Sequence, residues 1–257
     1  MKLFRQKQTR LSVIIIAKNE AKMIPDCLKS IKPLADEIIL VDSGSTDSTV
    51  AISREFSATI IAADGDYSQL RNAGLKAAAG TWVFYIDADE RATPELVQEV
   101  KTTISAPAAA SYKLPRQNII FGRWIKHGGY WPDPVHRLFQ KTNLTGWTGK
   151  LHESPQVTGP VGLLHHHLIH YTARSIHTAL SKSKHWSAIE AQLLFEAKVP
   201  PVAWWKIVKA FKLELFRQLV LRTGFLDGMP GIILAYIRAH HQASVLVNLW
   251  HLQHPSP

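Results

Sequence analysis

Four short, largely apolar runs rich in β-branched and aromatic residues, at 12–17, 37–41, 58–62 and 82–86, each end in a polar cluster. Such near-continuous runs suit parallel strands covered on both faces, where both rows of alternating side chains are buried. Between them the apolar spacing becomes helical. Met23, Ile24, Cys27, Leu28 and Ile31 recur at helical intervals in a segment opening at Lys18-Asn19-Glu20, and Pro33 marks its stop. Further helices are predicted over 48–56 and 67–79, the latter headed by Asp66 and Gln69, a capping-box pair with Asp in place of Ser or Thr. Thr93-Pro94-Glu95 opens a fourth helix, with Thr93 as its cap and Pro94 at the first helical position.

Alternating strands and helices predict βαβ units and a mostly parallel, Rossmann-like sheet flanked by helices, with right-handed crossovers. Ligands of such sheets bind at the carboxyl ends of the strands. The clusters at 18–20, 42–47 and 87–90, far apart in sequence, are therefore expected on one rim. From residue 109 the alternation fails. Strands are predicted at 111–115 and 137–140, an edge segment at 118–125, a loop at 127–132 and a β-like segment ending near Tyr171. Helices follow over 175–196, 201–222 and 231–250, with a breaker-rich hinge at 224–231 between the last two. The expected organisation is an α/β domain over 1–173 and a basic amphipathic helical extension over 174–257.

A chain of 257 residues buries roughly 70–75% of its unfolded surface, enough for a large core without staples. Its single cysteine, Cys27, excludes an intramolecular disulfide framework, fits a reducing compartment and reads as packing. The net charge of +10 favours polyanionic partners. Beyond residue 174 the bases interleave with Trp, Phe and Leu, a mixture suited to a membrane surface. Trp204, Trp205, Val208, Phe211, Leu215 and Leu219 share one helical face there, with Lys206, Lys209, Lys212 and Arg217 around it. That face could pack on the α/β domain or lie on anionic lipid. The N-terminal run 11–17 is short and lacks a small-residue cleavage site, so no signal peptide is expected. The stretch 229–250 is interrupted by Arg238, His240, His241, Gln242 and Asn248, so no spanning helix is expected either.

The chemistry concentrates at 87–90. Asp87, Asp89 and Glu90 follow a buried strand directly, and water-facing acids at a strand end suit Mg²⁺ or Mn²⁺, hard cations that share their remaining positions with water and phosphates. The plainer alternative is that they cap the following helix. Neither GxGxxG after the first strand nor GxxxxGK[ST] occurs, which disfavours a dehydrogenase and a P-loop kinase. Asp47 reads as a helix cap. His165, His166 and His167 alternate across a strand and cannot easily hold one ion.

The segments SVIIIAKNE, VDSGSTDST, QLRNAGLKAAAG and WVFYIDADE, in that order and spacing, resemble the nucleotide-sugar half of the family 2 glycosyltransferases with the GT-A fold. WPDPVHRLF, KLHES, IHYT and RTGFLDGMPG are similar to the branch containing lipopolysaccharide inner-core β-glucosyltransferases, and the resemblance covers nearly the whole chain. It implies a nucleotide-sugar half at about 10–105 and an acceptor half at about 106–173. Residue by residue it implies that Asp42 reads the base, enclosed by Ala17, Lys18, Asn19 and Glu20, with Arg71 near the pyrophosphate. Asp87 would lie by the ribose and metal-bound water, and Asp89 would bind the divalent cation. Ser43, Ala88 and Arg137 complete the substrate-contacting positions. Glu153 is implied as the base, Asp133 is the second choice, and His170 resembles a late histidine that reaches the metal or diphosphate. The QxxRW signature and spanning helices of processive members are missing.

The expected function is inverting, metal-assisted transfer of one sugar from a nucleoside diphosphate donor, with UDP favoured. The expected acceptor is a glycolipid or lipid-linked cell-envelope saccharide, and the expected site is the cytoplasmic, inner face of the membrane, with the enzyme peripheral. A nucleotidyltransferase lacks its early basic, glycine-rich loop here. A basic RNA-binding protein would need a nucleic-acid module that does not appear, so no nucleic-acid partner is expected.

Overall fold

The computed structural model describes residues 10–149, 153–173 and 175–254. In chain order its elements are β1 (Leu11–Ala17), α1 (Ile24–Ile31), β2 (Glu37–Asp42), α2 (Thr49–Glu55), β3 (Thr59–Ala62), α3 (Tyr67–Ala77) and β4 (Trp82–Asp87). There follow β5 (Glu90–Ala92), α4 (Pro94–Ser105), β6 (Ser111–Leu114), β7 (Arg116–Ile120), β8 (Arg123–Trp124), β9 (Val135–Gln140), β10 (Leu144–Thr148) and β11 (Ser154–Val157). The chain ends through β12 (Val161–Leu163), β13 (Leu168–Tyr171), α5 (Ile176–Glu196), α6 (Trp204–Phe216) and α7 (Met229–Gln253). Two compact units result. One comprises the chain up to Arg116 together with Pro134–His170; the other comprises Gln117–Asp133 and the chain from Tyr171 onward.

The first unit is built on a seven-stranded sheet in the order β12-β6-β9-β4-β1-β2-β3. β4, β1, β2 and β3 run parallel, while β9 is antiparallel to both β4 and β6. β1 is central, as its unbroken run requires. Val13 and Ile15 pack on one side with Ile24, Leu28 and Ile31 of α1 and Leu96 of α4. Ile14 packs on the other with Leu70 of α3, Tyr85, Phe139 and Trp147. α3 lies close because Gly74 has no side chain: a Cβ there would sit 2.4 Å from Ile14 Cγ2. Gly74→Ala is expected to destabilise the fold by about 1–3 kcal/mol through overpacking, seen as a lower urea midpoint.

Local predictions hold where caps decide. Asp66 and Gln69 form the full capping box of α3, and the Thr93 hydroxyl caps α4 by accepting from Leu96 N at 3.2 Å. α1 begins later than its sequence suggests, because residues 18–20 are used elsewhere. Asn19 stands at φ 56°, Glu20 N donates to Thr49 Oγ1 at 2.8 Å, and Thr46 N donates to Asn19 Oδ1 at 2.8 Å. The first two strand-end loops are thus zipped together. Asp47 closes this zip by accepting from Ala21 N and Thr49 N, and the Thr49 hydroxyl holds its carboxyl below the usual range. Cys27 is buried, and burial pushes its thiol well up, as suits packing. His165, exposed, pairs with Glu99 at 3.1 Å.

His136 of β9 stacks at 4.5 Å on Phe139, and among the described residues its buried Nε2 has no hydrogen-bond partner. Burial, with Lys113 nearby, pushes its pKa down to about 4. The stability gained by keeping this ring neutral is complete above the ordinary value of about 6.5 and is lost as pH falls toward the folded value. The unfolding midpoint should decline across that window, and His136→Phe should flatten the decline.

In the second unit β7 and β8 form a hairpin, and α5 and α6 both pack on α7. Ile120 and Ile125 share a core with Ala173 and Leu234. Phe121 N donates to Ala173 O, and Asp227 accepts from the backbone N–H of Lys126 and His127. The boundary expected at 173 is therefore displaced, because segment 117–133 spends its apolar and backbone groups on the helices. α6 also ends sooner than the predicted 222, at Phe216, and continues as a π-type turn over Arg217–Leu221. Among the described residues no helix is long and apolar enough to cross a membrane.

Candidate active site

A cluster of four carboxylates and three guanidiniums lies around the end of β4. Arg71, one turn into α3, is only 6% exposed. Its Nη2 lies 3.1 Å from Glu153 Oε1 and 3.5 Å from Asp87 Oδ1, and its Nε donates to the same Glu153 oxygen at 3.2 Å. The guanidinium stacks 4.7 Å from the Trp147 ring and 5.5 Å from that of Tyr85. Trp147 is held by Asn72, whose side chain donates to Trp147 O and accepts from Trp147 N at 2.9 and 2.8 Å. α3 and β10 thus aim Arg71 together.

Arg137 of β9, 4% exposed, reaches across to the same strand end. Its Nη2 contacts Asp87 Oδ2 at 2.5 Å and Glu90 Oε1 at 2.7 Å. The antiparallel β4–β9 pairing, with Phe84 opposite Leu138, sets this approach. Burial alone would push the Asp87 carboxyl up, but Arg137 and Arg71 outweigh it and hold the group well below the usual carboxylate range. Asp87 is therefore an anion throughout the working pH range, with one third of its side chain still reachable by solvent.

Glu90 departs from its expected role. It is fully buried, accepts from Asp87 N at 2.9 Å, and pairs with Arg116 at 3.3 Å as well as with Arg137. Rather than supporting the following helix, it starts β5 and locks the turn that carries Asp87 and Asp89. The alternation of Glu90 and Ala92 inward with Arg91 between them was the available signal. That turn makes Ala88 a buried spacer.

β5 pairs antiparallel with β13, placing His170 opposite Glu90 in register. The His170 Nε2 consequently lies 3.4 Å from Asp89 Oδ2. Two donors that close can both stand at the roughly 2.1 Å bond length of a small divalent cation, so the pair fits Mg²⁺ or Mn²⁺ while leaving positions for phosphate oxygens and water. Both are partly exposed, at 14% and 23% of the side chain.

The residues expected to enclose the base come from the first two loops. Asp42, at the end of β2, is nearly buried and accepts from Ser45 N at 3.2 Å through both oxygens. Ser43 N donates to Ala17 O at 3.1 Å, so residues 17–20 and 42–46 form one wall. Lys18 is exposed on it. Residues 150–152 of the KLHES segment lie outside the described residues; Glu153 is described, and both of its bonds from Arg71 fall on Oε1. Asp133, at φ 37°, belongs to the second unit, where it accepts from Asn118 Nδ2 at 2.9 Å. Of the residues expected to act, the structure brings Arg71, Arg137, Asp87 and Glu153 into direct contact and sets Asp89 against His170. Sequence reasoning missed Arg116, Asn72 and Trp147, whose contacts are long-range pairings without a local signature.

Residues 12–157 match the family described as Glycosyl transferase family 2. An uncharacterized glycosyltransferase of Rickettsia felis is 25% identical over 251 residues, 90% of this chain and 86% of that protein. A TPR repeat-containing protein of Synechococcus elongatus is 34% identical over 116 residues, but these are 44% of this chain and 29% of that protein. Among solved structures, S. aureus TarS 1–349 in complex with UDP-GlcNAc has a TM-score of 0.51 at 16% identity, covering 95% of this chain and 90% of that one. Glucosyl-3-phosphoglycerate synthase from Mycobacterium tuberculosis, in complex with Mn²⁺, UDP and glucosyl-3-phosphoglycerate, has a TM-score of 0.50 at 16% identity, covering 75% of this chain and 81% of that one. These likenesses establish the GT-A fold.

Proposed function

The chain belongs to glycosyl transferase family 2, and from that premise we propose that it transfers one sugar from UDP-sugar to a saccharide hydroxyl with inversion at the anomeric carbon. The observation that carries this reading is the meeting of Arg71, Asp87 and Glu153 beside the Asp89–His170 pair, a cationic and acidic cluster at a parallel-sheet rim. In the proposed site Asp42 and the wall at 17–20 receive the uracil, and Arg71 faces the diphosphate. Asp89 and His170 would hold Mg²⁺ or Mn²⁺, which would supply positive charge where the leaving diphosphate becomes more negative.

Glu153 Oε2 then takes the proton of the acceptor hydroxyl as its oxygen forms the new bond to the anomeric carbon. The bond between that carbon and the diphosphate breaks, and its electron pair leaves with UDP. Arg71 holds Glu153 through Oε1, which orients the carboxylate without occupying the oxygen that works. The acceptor we propose is a glycolipid or lipid-linked saccharide of the cell envelope, of the kind the inner-core resemblance implies, met at the inner face of the cytoplasmic membrane.

The test is a UDP-sugar turnover assay titrated with Mn²⁺. Asp89→Ala should raise the Mn²⁺ concentration needed by at least about a hundredfold, the upper end of what changes one layer outside a metal already cost. Unaltered Mn²⁺ dependence would remove Asp89 from the metal site.

A further inference from the structure

α6 exposes more large apolar side chains than a helix bathed in water ordinarily does. The buried position of α6 and that of the turn after it are both polar: Glu214 is 7% and Gln218 1% exposed, and the Gln218 amide donates to Glu214 at 2.7 Å. The apolar positions of α6 are divided rather than gathered on the one face expected from the sequence: Ile207 packs in the helical core and Phe211 meets Tyr236 of α7 at 5.7 Å, while Trp204 at 74%, Leu213 at 60% and Phe216 at 51% exposed face outward. The exposure continues round the connection to α7, where Leu221, Leu226 and Met229 are each more than half exposed. Isolated exposed leucines are ordinary, but a contiguous set on one helical hairpin marks an interaction surface. Trp204, Trp205, Val208, Leu213 and Phe216 line one open cleft with Lys209 and Lys212.

The charge around this face identifies its occupant. Lys206, Lys209 and Lys212 stand exposed along α6, and Arg217 at the start of the turn after it. The acids of the same segment are withdrawn: Glu214 is paired with Arg217 at 2.6 Å, and Asp227 with His127 at 3.0 Å. A two-fold contact between copies would set these bases against their own equivalents. An acidic, hydrocarbon-backed surface would satisfy both the bases and the apolar residues between them.

We propose that α6 and the α6–α7 connection form a membrane-binding element that lies in the headgroup layer of an anionic bilayer, burying Trp204, Phe216, Leu221 and Leu226 at the acyl boundary. The lysines reach outward to the lipid phosphates. Apolar burial supplies the depth of this contact, and charge supplies its preference for acidic lipid. The surface is independent of the sugar chemistry proposed above.

The experiment is co-sedimentation of the full chain with phosphatidylcholine vesicles, with and without about one third phosphatidylglycerol. Binding is expected on the anionic vesicles, weakened by salt, with a blue shift of tryptophan emission. Lys206→Gln, Lys209→Gln and Lys212→Gln together should weaken that binding by about a hundredfold, at roughly fivefold per charge. Leu221→Ser with Leu226→Ser should abolish the blue shift of the bound fraction while UDP-sugar turnover in detergent-free buffer stays unchanged. Because these positions are exposed, a folded variant is expected, and circular dichroism checks it. No binding of the wild-type chain to anionic vesicles would overturn the proposal. So would a dimer in analytical ultracentrifugation that the same serine substitutions dissolve, because a second copy would then cover the face.

Discussion

Glu153→Gln is expected to lower sugar transfer by about 10²- to 10⁴-fold, the range a positioned general base supplies, while UDP binding persists. The substitution keeps the shape of the side chain and an oxygen to accept from Arg71, but removes the negative charge and with it the capacity to take a proton. Arg71 does not become an orphan, since Asp87 lies 3.5 Å away and the rings of Trp147 and Tyr85 cover its faces. The fold should therefore survive, which separates a chemical loss from a structural one. Equilibrium binding of UDP and initial rates of transfer, measured on the same preparation, check both halves. Unchanged transfer would remove Glu153 from the role and leave Asp133 as the acid to test next.

The second large effect is structural. Arg137→Leu should cost about 3–5 kcal/mol, the usual penalty for leaving buried charge without its partner. Arg137 bridges Asp87 and a Glu90 that is fully buried, and Arg116 at 3.3 Å is the weaker of the two cations on Glu90. A loss of that size is a large fraction of the roughly 5–15 kcal/mol that holds a domain folded. Urea unfolding should show it at neutral pH. The shortfall should shrink in acid. The contribution of Asp87 in the native chain is complete above the ordinary aspartate value of about 3.9 and is lost as pH falls through its depressed folded value, so native and variant stabilities converge there. Equal midpoints at neutral pH would mean that Arg137 orders nothing.

The parallel half of the fold was legible because each of its strands carries its own evidence. The run at β1 has to be central, since no other position buries both Val13 and Ile14. The caps at Asp66 and Thr93 announced two helices within one residue. The second half was not readable in this way. β10, β11 and β12 are short and only partly buried; β10 and β11 pair with each other through an irregular register, and β12 depends on distant β6, with Val161 opposite Ser111. Segment 117–133 looked like a continuation of the α/β domain because nothing local reveals that Ile120 and Ile125 share a core with Leu234, more than a hundred residues on.

The site divided along the same line. Asp87 and Asp89 were visible as acids at a strand end, and His170 entered through the family resemblance. Glu90 was grouped with the two aspartates as a water-facing acid because its burial is a property of Arg137 and Arg116, which approach from other strands. Arg71 entered through the family resemblance as well, but its burial depends on Trp147, which arrives from β10. Charge signs and cap residues are local, whereas burial of a charge is decided by who arrives from elsewhere.

The central claim is that this cluster grips a nucleoside diphosphate through a cation held by Asp89. A crystal soaked with UDP and Mn²⁺ tests it most directly. Mn²⁺ is expected on Asp89 and between the two phosphates, uracil against Asp42, and Arg71 beside the diphosphate. Mn²⁺ bound away from Asp89, or UDP lodged outside the rim formed by β1, β2 and β4, would contradict it.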